Sequence, residues 1–319
     1  MFERLSRPAL VGLLLVASSA YGAEVRYYSV PQGSHPHDVA PAPDGSVWYT
    51  AQSTGELGRL DPNTGKTEHI PLGKGSSPHG VIVGPDGAAW VTDSGQNAIV
   101  RVDPQTKAVK PYPLPGSAPN VNLNTAAFDK QGVLWYTGQG GYYGSVNPKT
   151  GEVKVWEAPR GRGPYGITAT PTGDIYYASL AGNHIARVDT VTGKASVIEP
   201  PIKQQGARRV WSDSKGQIWV SEWSSGNLSM YNPKDQSWKQ WRPSVNNPHI
   251  YAVWVDDRDK VWVTEWTSNA ILRFDPVTAK FESFPSNKDG AAVRQMLGRA
   301  GEIWGAESGN DRLVVVTER

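Results

Sequence analysis

The chain has 319 residues, 32 Lys and Arg against 30 Asp and Glu, and no cysteine. The absence of cysteine excludes a disulfide framework and a thiolate nucleophile. A net charge of +2 predicts no bulk attraction to nucleic acid or to a lipid surface, and leaves a small-molecule or neutral partner as the expectation.

In chain order, Arg4 and Arg7 precede an apolar run from Pro8 to Ala17, and small residues follow at Ser18, Ser19, Ala20, Gly22 and Ala23. This is the order of a secretory signal, too short to insert stably in a membrane. We therefore expect residues 1–23 to be a signal peptide, cleaved after Ala20 or Ala23, and the mature protein to be periplasmic or secreted. Residues 24–319 then form one domain, expected to be a monomer.

From there a single unit repeats seven times: PDGSVWYT, PDGAAWVT, KQGVLWYT, PTGDIYYA, SKGQIWVS, DRDKVWVT and RAGEIWGA. The aromatic anchors Trp48, Trp90, Trp135, Tyr176, Trp219, Trp262 and Trp304 are 42, 45, 41, 43, 43 and 42 residues apart. That period, with several short strands per unit, predicts an all-β, seven-bladed β-propeller. In the second copy His79–Gly84, Ala88–Asp93, Ala98–Val102 and Val109–Leu114 read as four antiparallel strands separated by Pro, Gly, Asp and Asn turns. A second turn recurs at Asp61, Asp103, Asn147, Asp189, Asn232 and Asp275. The seventh copy stops after its third strand, so VRYYSVP at Val25–Pro31 is expected to supply the missing outer strand and close the ring.

Where the copies differ, the blade itself offers no explanation. The end of the second strand carries Ala51, Asp93, Gly138, Ser179, Glu222, Glu265 and Glu307; the start of the first carries His37, His79, Asn124, Tyr165, Arg208, Tyr251 and Val293. Antiparallel pairing sets both series at one edge, and an innermost first strand makes that edge the mouth of the central channel. Arg209 and Arg294 follow one residue further on, and Trp223 and Trp266 directly after two of the glutamates. A polar ring with aromatic neighbours suits a ligand pocket. Two readings of the acidic residues stand: ligands for a hard divalent cation, or acceptors for amides of the following loop. His37 and His79 are read either as proton-transfer groups or as donors to neighbouring carbonyls. His69 and His184 are expected to be solvated.

The repeat form PHGVIVGPDGAAWVTDSGQNAIVRVDP, echoed in YGITATPTGDIYY and WVTEWTSNAILRFDP, resembles the streptogramin B lyase (virginiamycin B lyase) family over the whole mature chain. The resemblance implies a seven-bladed propeller that opens a cyclic depsipeptide by elimination, with Mg2+ and a histidine base. It also implies a histidine starting the sixth blade, Glu-x-His starting the seventh, and a Glu ending that blade's second strand. Glu307 matches the last of these; Tyr251 and Ala291-Ala292-Val293-Arg294 stand where the others would be.

The expected function is thus a lyase-like enzyme opening a cyclic ester or lactone by metal-assisted proton abstraction. His79 or His37 would be the base, with Tyr251 a substitute, and Glu222, Glu265, Glu307 and Asp93 would hold Mg2+. Arg208, Arg209, Arg294, Trp223, Trp266, Asn124 and Tyr165 would contact substrate. The alternatives are a non-catalytic binding propeller of the cell envelope, using the same arginines and tryptophans, and a Ca2+-dependent lactone hydrolase. No G-x-S-x-G occurs, which argues against a serine triad of that type, and no phosphate loop leads from a strand into a helix.

Overall fold

The computed structural model describes residues 22–318, so most of the expected signal peptide lies outside the described residues. Among them no helix is long and apolar enough to cross a membrane. Twenty-eight strands form seven sheets of four, each antiparallel and in sequence order except the last. In blade two the strands are Pro78–Val83, Ala89–Asp93, Ala98–Val102 and Val109–Pro113. The first strands of successive blades pack against one another around the whole circle, blade seven against blade one included. They are therefore the inner wall of a seven-bladed propeller.

Local chemistry explains why this sequence makes these blades. All seven aromatic anchors are buried. The aspartate that closes the first strand does two jobs in blades three, five and six. One oxygen of Asp129, Asp213 or Asp256 accepts turn amides, while the other accepts the anchor indole at 2.8, 3.0 and 2.9 Å. Each of these three anchors is thus packed and also tied to the hairpin that precedes it. In the other recurrent turn, Asp61, Asp103, Asn147, Asp189, Asn232 and Asp275 each accept the amide two residues on, at 2.8–3.2 Å.

A hydroxyl on the second strand joins neighbouring blades. Thr50 accepts Asp38 N–H in its own blade and donates to the His79 carbonyl of the next. Thr92 repeats this between Gly80 and Asn124, Thr137 between Thr125 and Tyr165, and Ser221 between Arg209 and Tyr251. Closure of the ring uses a different device. Glu24–Ser29 pairs with Arg312–Thr317, from Glu24↔Thr317 to Ser29↔Arg312, as the outer strand of blade seven. Asp311 accepts the amides of Gly33 and His35, both at 2.8 Å, and Gln295 Oε1 accepts Val39 N–H at 3.0 Å across the seam.

Two histidine expectations need correction. His184 is 1 % exposed, because it starts the third strand of blade four and does not lie in the preceding loop. His69 is largely covered and engaged by Tyr49 at 2.7 Å and Glu56 at 3.0 Å.

Candidate active site

A one-residue bulge at the start of every first strand sets the geometry of the channel mouth. Pro78, not His79, faces Asp93; Pro36 faces Ala51, Ala207 faces Glu222 and Ile250 faces Glu265 before the register slips. In blade seven Val293 faces Glu307, so Arg294, not Val293, is the counterpart of His37 and His79. A bulge re-aims the residue that it releases from pairing.

His37 and His79 meet directly, with ring centroids 3.9 Å apart. His37 Nδ1 lies 2.7 Å from Asp38 Oδ1. A carboxylate only accepts, so Nδ1 carries the proton and Nε2 keeps a lone pair. That nitrogen has no hydrogen-bond partner among the described residues and is not among their sealed, unpaired polar atoms. His79 is held on both sides, Nδ1 donating to the Asn124 carbonyl at 3.1 Å and Nε2 accepting Asn124 Nδ2 at 3.3 Å. Burial first, then the charges of Arg209 and Arg294, holds His37 well below the ordinary imidazole range; burial and His37 do the same to His79. Both rings are neutral at pH 7.

Beneath them Arg209 spans the channel. It is 4 % exposed and donates to Thr125 Oγ1 in blade three and, at 3.3 Å, to Asp38 in blade one. Gly80 and Gly166 leave room for this packing: a Cβ on Gly166 would stand 2.6 Å from Arg209 Cα, and one on Gly80 2.6 Å from the Asn124 carbonyl. Burial pushes the Asp38 carboxyl up, and Arg209 opposes it.

Across the mouth Tyr165 and Tyr251 share a 2.5 Å hydrogen bond, and Arg208 Nη2 donates to Tyr165 Oη at 3.2 Å. Burial raises the Tyr165 phenol, but the charges of Arg208 and Arg209 outweigh it and leave it below its ordinary value. Tyr251 is pushed up to about 12 by burial and by Tyr165. Trp266 stacks on Tyr251 at 5.0 Å, Trp223 meets Trp266 edge-on at 5.4 Å, and His249 lies 4.9 Å from Trp223.

The four acidic residues are not brought to this cluster. Asp93 accepts Ser76 Oγ, Ser77 N–H and Gln96 N–H; Glu265 accepts the amides of His249, Thr267 and Ser268. Glu222 takes Gln205, Ser225 and Ser229, and Glu307 pairs with Arg312 and Ser286. Each fastens the loops at its own blade edge. Glu265, Glu307 and Trp266 also line a cavity of ≈ 390 Å³ between blades six and seven, beside Tyr27 of the closing strand.

Among the described residues the group with ligand atoms close enough to share a metal ion is His37, Asp38 and His79, all within 4.8 Å. Two imidazoles and one carboxylate do not fit Mg2+ or Ca2+, which take oxygen ligands, and Arg209 already occupies the carboxylate. Asp38 is the main residue that the sequence reading missed. Its signal was available one position along: the residues after the strand starts, Asp38, Gly80, Thr125, Gly166, Arg209, Ala252 and Gln295, are as unequal as the starts themselves.

The sequence pattern that defines the virginiamycin B lyase family matches residues 15–249. The chain belongs to that family. Virginiamycin B lyase from Staphylococcus aureus superimposes with a TM-score of 0.85 at 18 % identity, covering 93 % of this chain and all of that one. A streptogramin B lyase gives 0.86 at 19 %, over 95 % of this chain and all of that one. The extracellular domain of a hybrid two-component system from B. thetaiotaomicron gives 0.70 at 14 %, over 92 % of this chain and 43 % of that one. At such identities the likeness concerns the fold. A search of curated proteins returns no match. Membership is therefore carried by a pattern that ends at the start of blade six, before Tyr251, Arg294 and Glu307.

Proposed function

We propose that this propeller is an exported, lyase-like enzyme that opens a cyclic ester or lactone at the channel mouth, with His37 as the base. The observation that carries this reading is the His37–Asp38 pair: a neutral imidazole, fixed in one tautomer by a buried carboxylate, with its second nitrogen left without a hydrogen-bond partner among the described residues. His79 is locked to Asn124 and acts by packing against His37.

In the reaction Nε2 of His37 takes the proton from the carbon beside a carbonyl. The electron pair of that C–H bond becomes a C=C bond as the ring C–O bond at the next carbon breaks, and the ring oxygen leaves as a carboxylate. Negative charge grows on the carbonyl oxygen meanwhile, and the fixed positive charges of Arg209, Arg294 and Arg208, which all act on His37, stabilise it. Arginine supplies at this mouth the charge that a cation would supply.

Purified protein mixed with streptogramin B and a panel of simple lactones tests the reading. Elimination leaves the product with the mass of the substrate and a new ultraviolet absorbance, whereas hydrolysis adds the mass of water. We expect unchanged mass, equally in EDTA and in millimolar Mg2+. Addition of water, or activity only with Mg2+ or Ca2+, would reject it. The binding-propeller reading draws on one feature, the aromatic and arginine wall, and gains if no lactone is opened.

A further inference from the structure

The charges at the channel mouth do not balance. Arg209 is paired with Asp38, whose remaining contact is His37. Arg208 and Arg294 have no carboxylate partner among the described residues. Arg208 donates one hydrogen bond, to Tyr165, and its Nε is buried with no acceptor. Its guanidinium lies 3.6 Å from the centre of the Tyr251 ring and 4.5 Å from that of Trp223. Arg294 donates through Nε to Ser308 at 3.1 Å and lies 5.2 Å from the Trp266 ring. The two guanidinium groups therefore flank one aromatic patch, in which Trp223 touches Trp266 and Trp266 stacks on Tyr251.

Arginine cannot shed its charge, and a half-buried guanidinium with an unused donor is costly unless something accepts from it. Aromatic faces attract the cation but leave its in-plane N–H groups unused. A planar anion would suit the outward in-plane N–H groups of the two guanidiniums, and an apolar body would suit the indoles between them.

We propose that the ligand of this mouth carries a carboxylate, received by Arg208 and Arg294, joined to an aromatic or apolar body that lies against Trp223 and Trp266. This rests on the channel mouth being the working site, and it replaces the neutral partner expected from net charge alone. The carboxylate is present in the ligand before any reaction and is distinct from the one that ring opening releases. It would also orient the ligand, since one charged end meets the arginines and leaves the rest of the molecule toward His37.

Phenylacetate, phenyl phosphate and the neutral phenylacetamide, each titrated against the intact protein by tryptophan fluorescence and calorimetry, test it. A charged hydrogen-bonded contact corresponds to roughly tenfold to a hundredfold in affinity. We expect phenylacetate to bind at least about tenfold tighter than phenylacetamide, and Arg208→Gln or Arg294→Gln to remove that difference. Equal binding of acid and amide by the wild-type protein, or no binding of the acid at millimolar concentration, would overturn the proposal without relying on any variant. Tighter binding of the phosphate than of the acid would overturn the assignment to a carboxylate. None of these titrations needs turnover. Acid-selective, Arg208-dependent binding with no lactone opened would retain this inference and remove the lyase reading. Lactone opening with no preference for the acid would do the reverse.

Discussion

At the scale of single residues, the histidine pair connects function to stability. His37 and His79 are both kept neutral, by burial first and then, for His37, by Arg209, Arg294, His35 and Arg208. In the unfolded chain each would take up a proton below about pH 6.5. The unfolded state then binds more protons than the folded one, so stability is lost as pH falls below that value. His184, lowered by burial, adds in the same direction. Asp38 works the other way, because its raised carboxyl lets the fold take up a proton as pH falls toward the carboxylate range. Three imidazoles against one carboxyl predict a melting temperature that falls between about pH 7 and about pH 5.5. A His37→Gln/His79→Gln double variant should show a shallower fall. Glu265 belongs to the same scale with a different role. It accepts three backbone amides, and in Glu265→Gln one oxygen is replaced by a donor. A loss of about 1–3 kcal/mol in denaturant unfolding is expected. An unchanged midpoint would return Glu265 to the list of candidate ligand-binding groups.

At the scale of elements, blade boundaries were legible because turn chemistry is local. Asp or Asn followed by Pro, and Gly at the hairpin, act on the backbone within three or four residues, and each such turn stands where the sequence places it. The bulge was not legible. No residue type in these strands marks where the extra residue enters, yet it moves His79 out of register with Asp93. The same shift, combined with a hairpin one residue shorter in blade seven, concealed that Arg294 holds the position attributed to Val293. The hydroxyl bridges were also hidden, since a Thr in a strand reads simply as β-propensity. Thr92→Val keeps that propensity but strands Gly80 N–H and one acceptor site of the Asn124 carbonyl. It should cost about 1–3 kcal/mol, and because His79 Nδ1 uses that same carbonyl, the His79 ring signals should shift by NMR. A neutral effect would mean that water replaces the bridge.

At the scale of the whole molecule, the first and last blades meet without chain continuity between their sheets. The outer strand Glu24–Ser29, the carboxylate of Asp311, Gln295 on Val39 N–H, Arg299 on the carbonyls of Ala42 and Gly45, and a shared apolar core join them, while each other pair of blades is continuous in the chain. Asp311→Ala removes an acceptor from Gly33 and His35, at an expected cost of about 1–3 kcal/mol. Hydrogen exchange should then rise in residues 24–35 before it rises in blades three to five. Uniform exchange throughout would show that closure is carried elsewhere. The circular arrangement sets His37 and Asp38 of blade one beside His79 of blade two and across from Arg209 of blade five. The repeat made the ring legible. The pairing of particular side chains across it depends on reach and rotamer, which no period encodes.

The most direct test of a His37-centred channel is the second-order rate constant, kcat/KM, for lactone opening by His37→Gln beside the wild-type protein, with melting temperatures measured on the same samples. A fall of about 10²–10⁴-fold with the fold retained is expected, and much less for His79→Gln. A His37→Gln enzyme within a few-fold of wild type would contradict it.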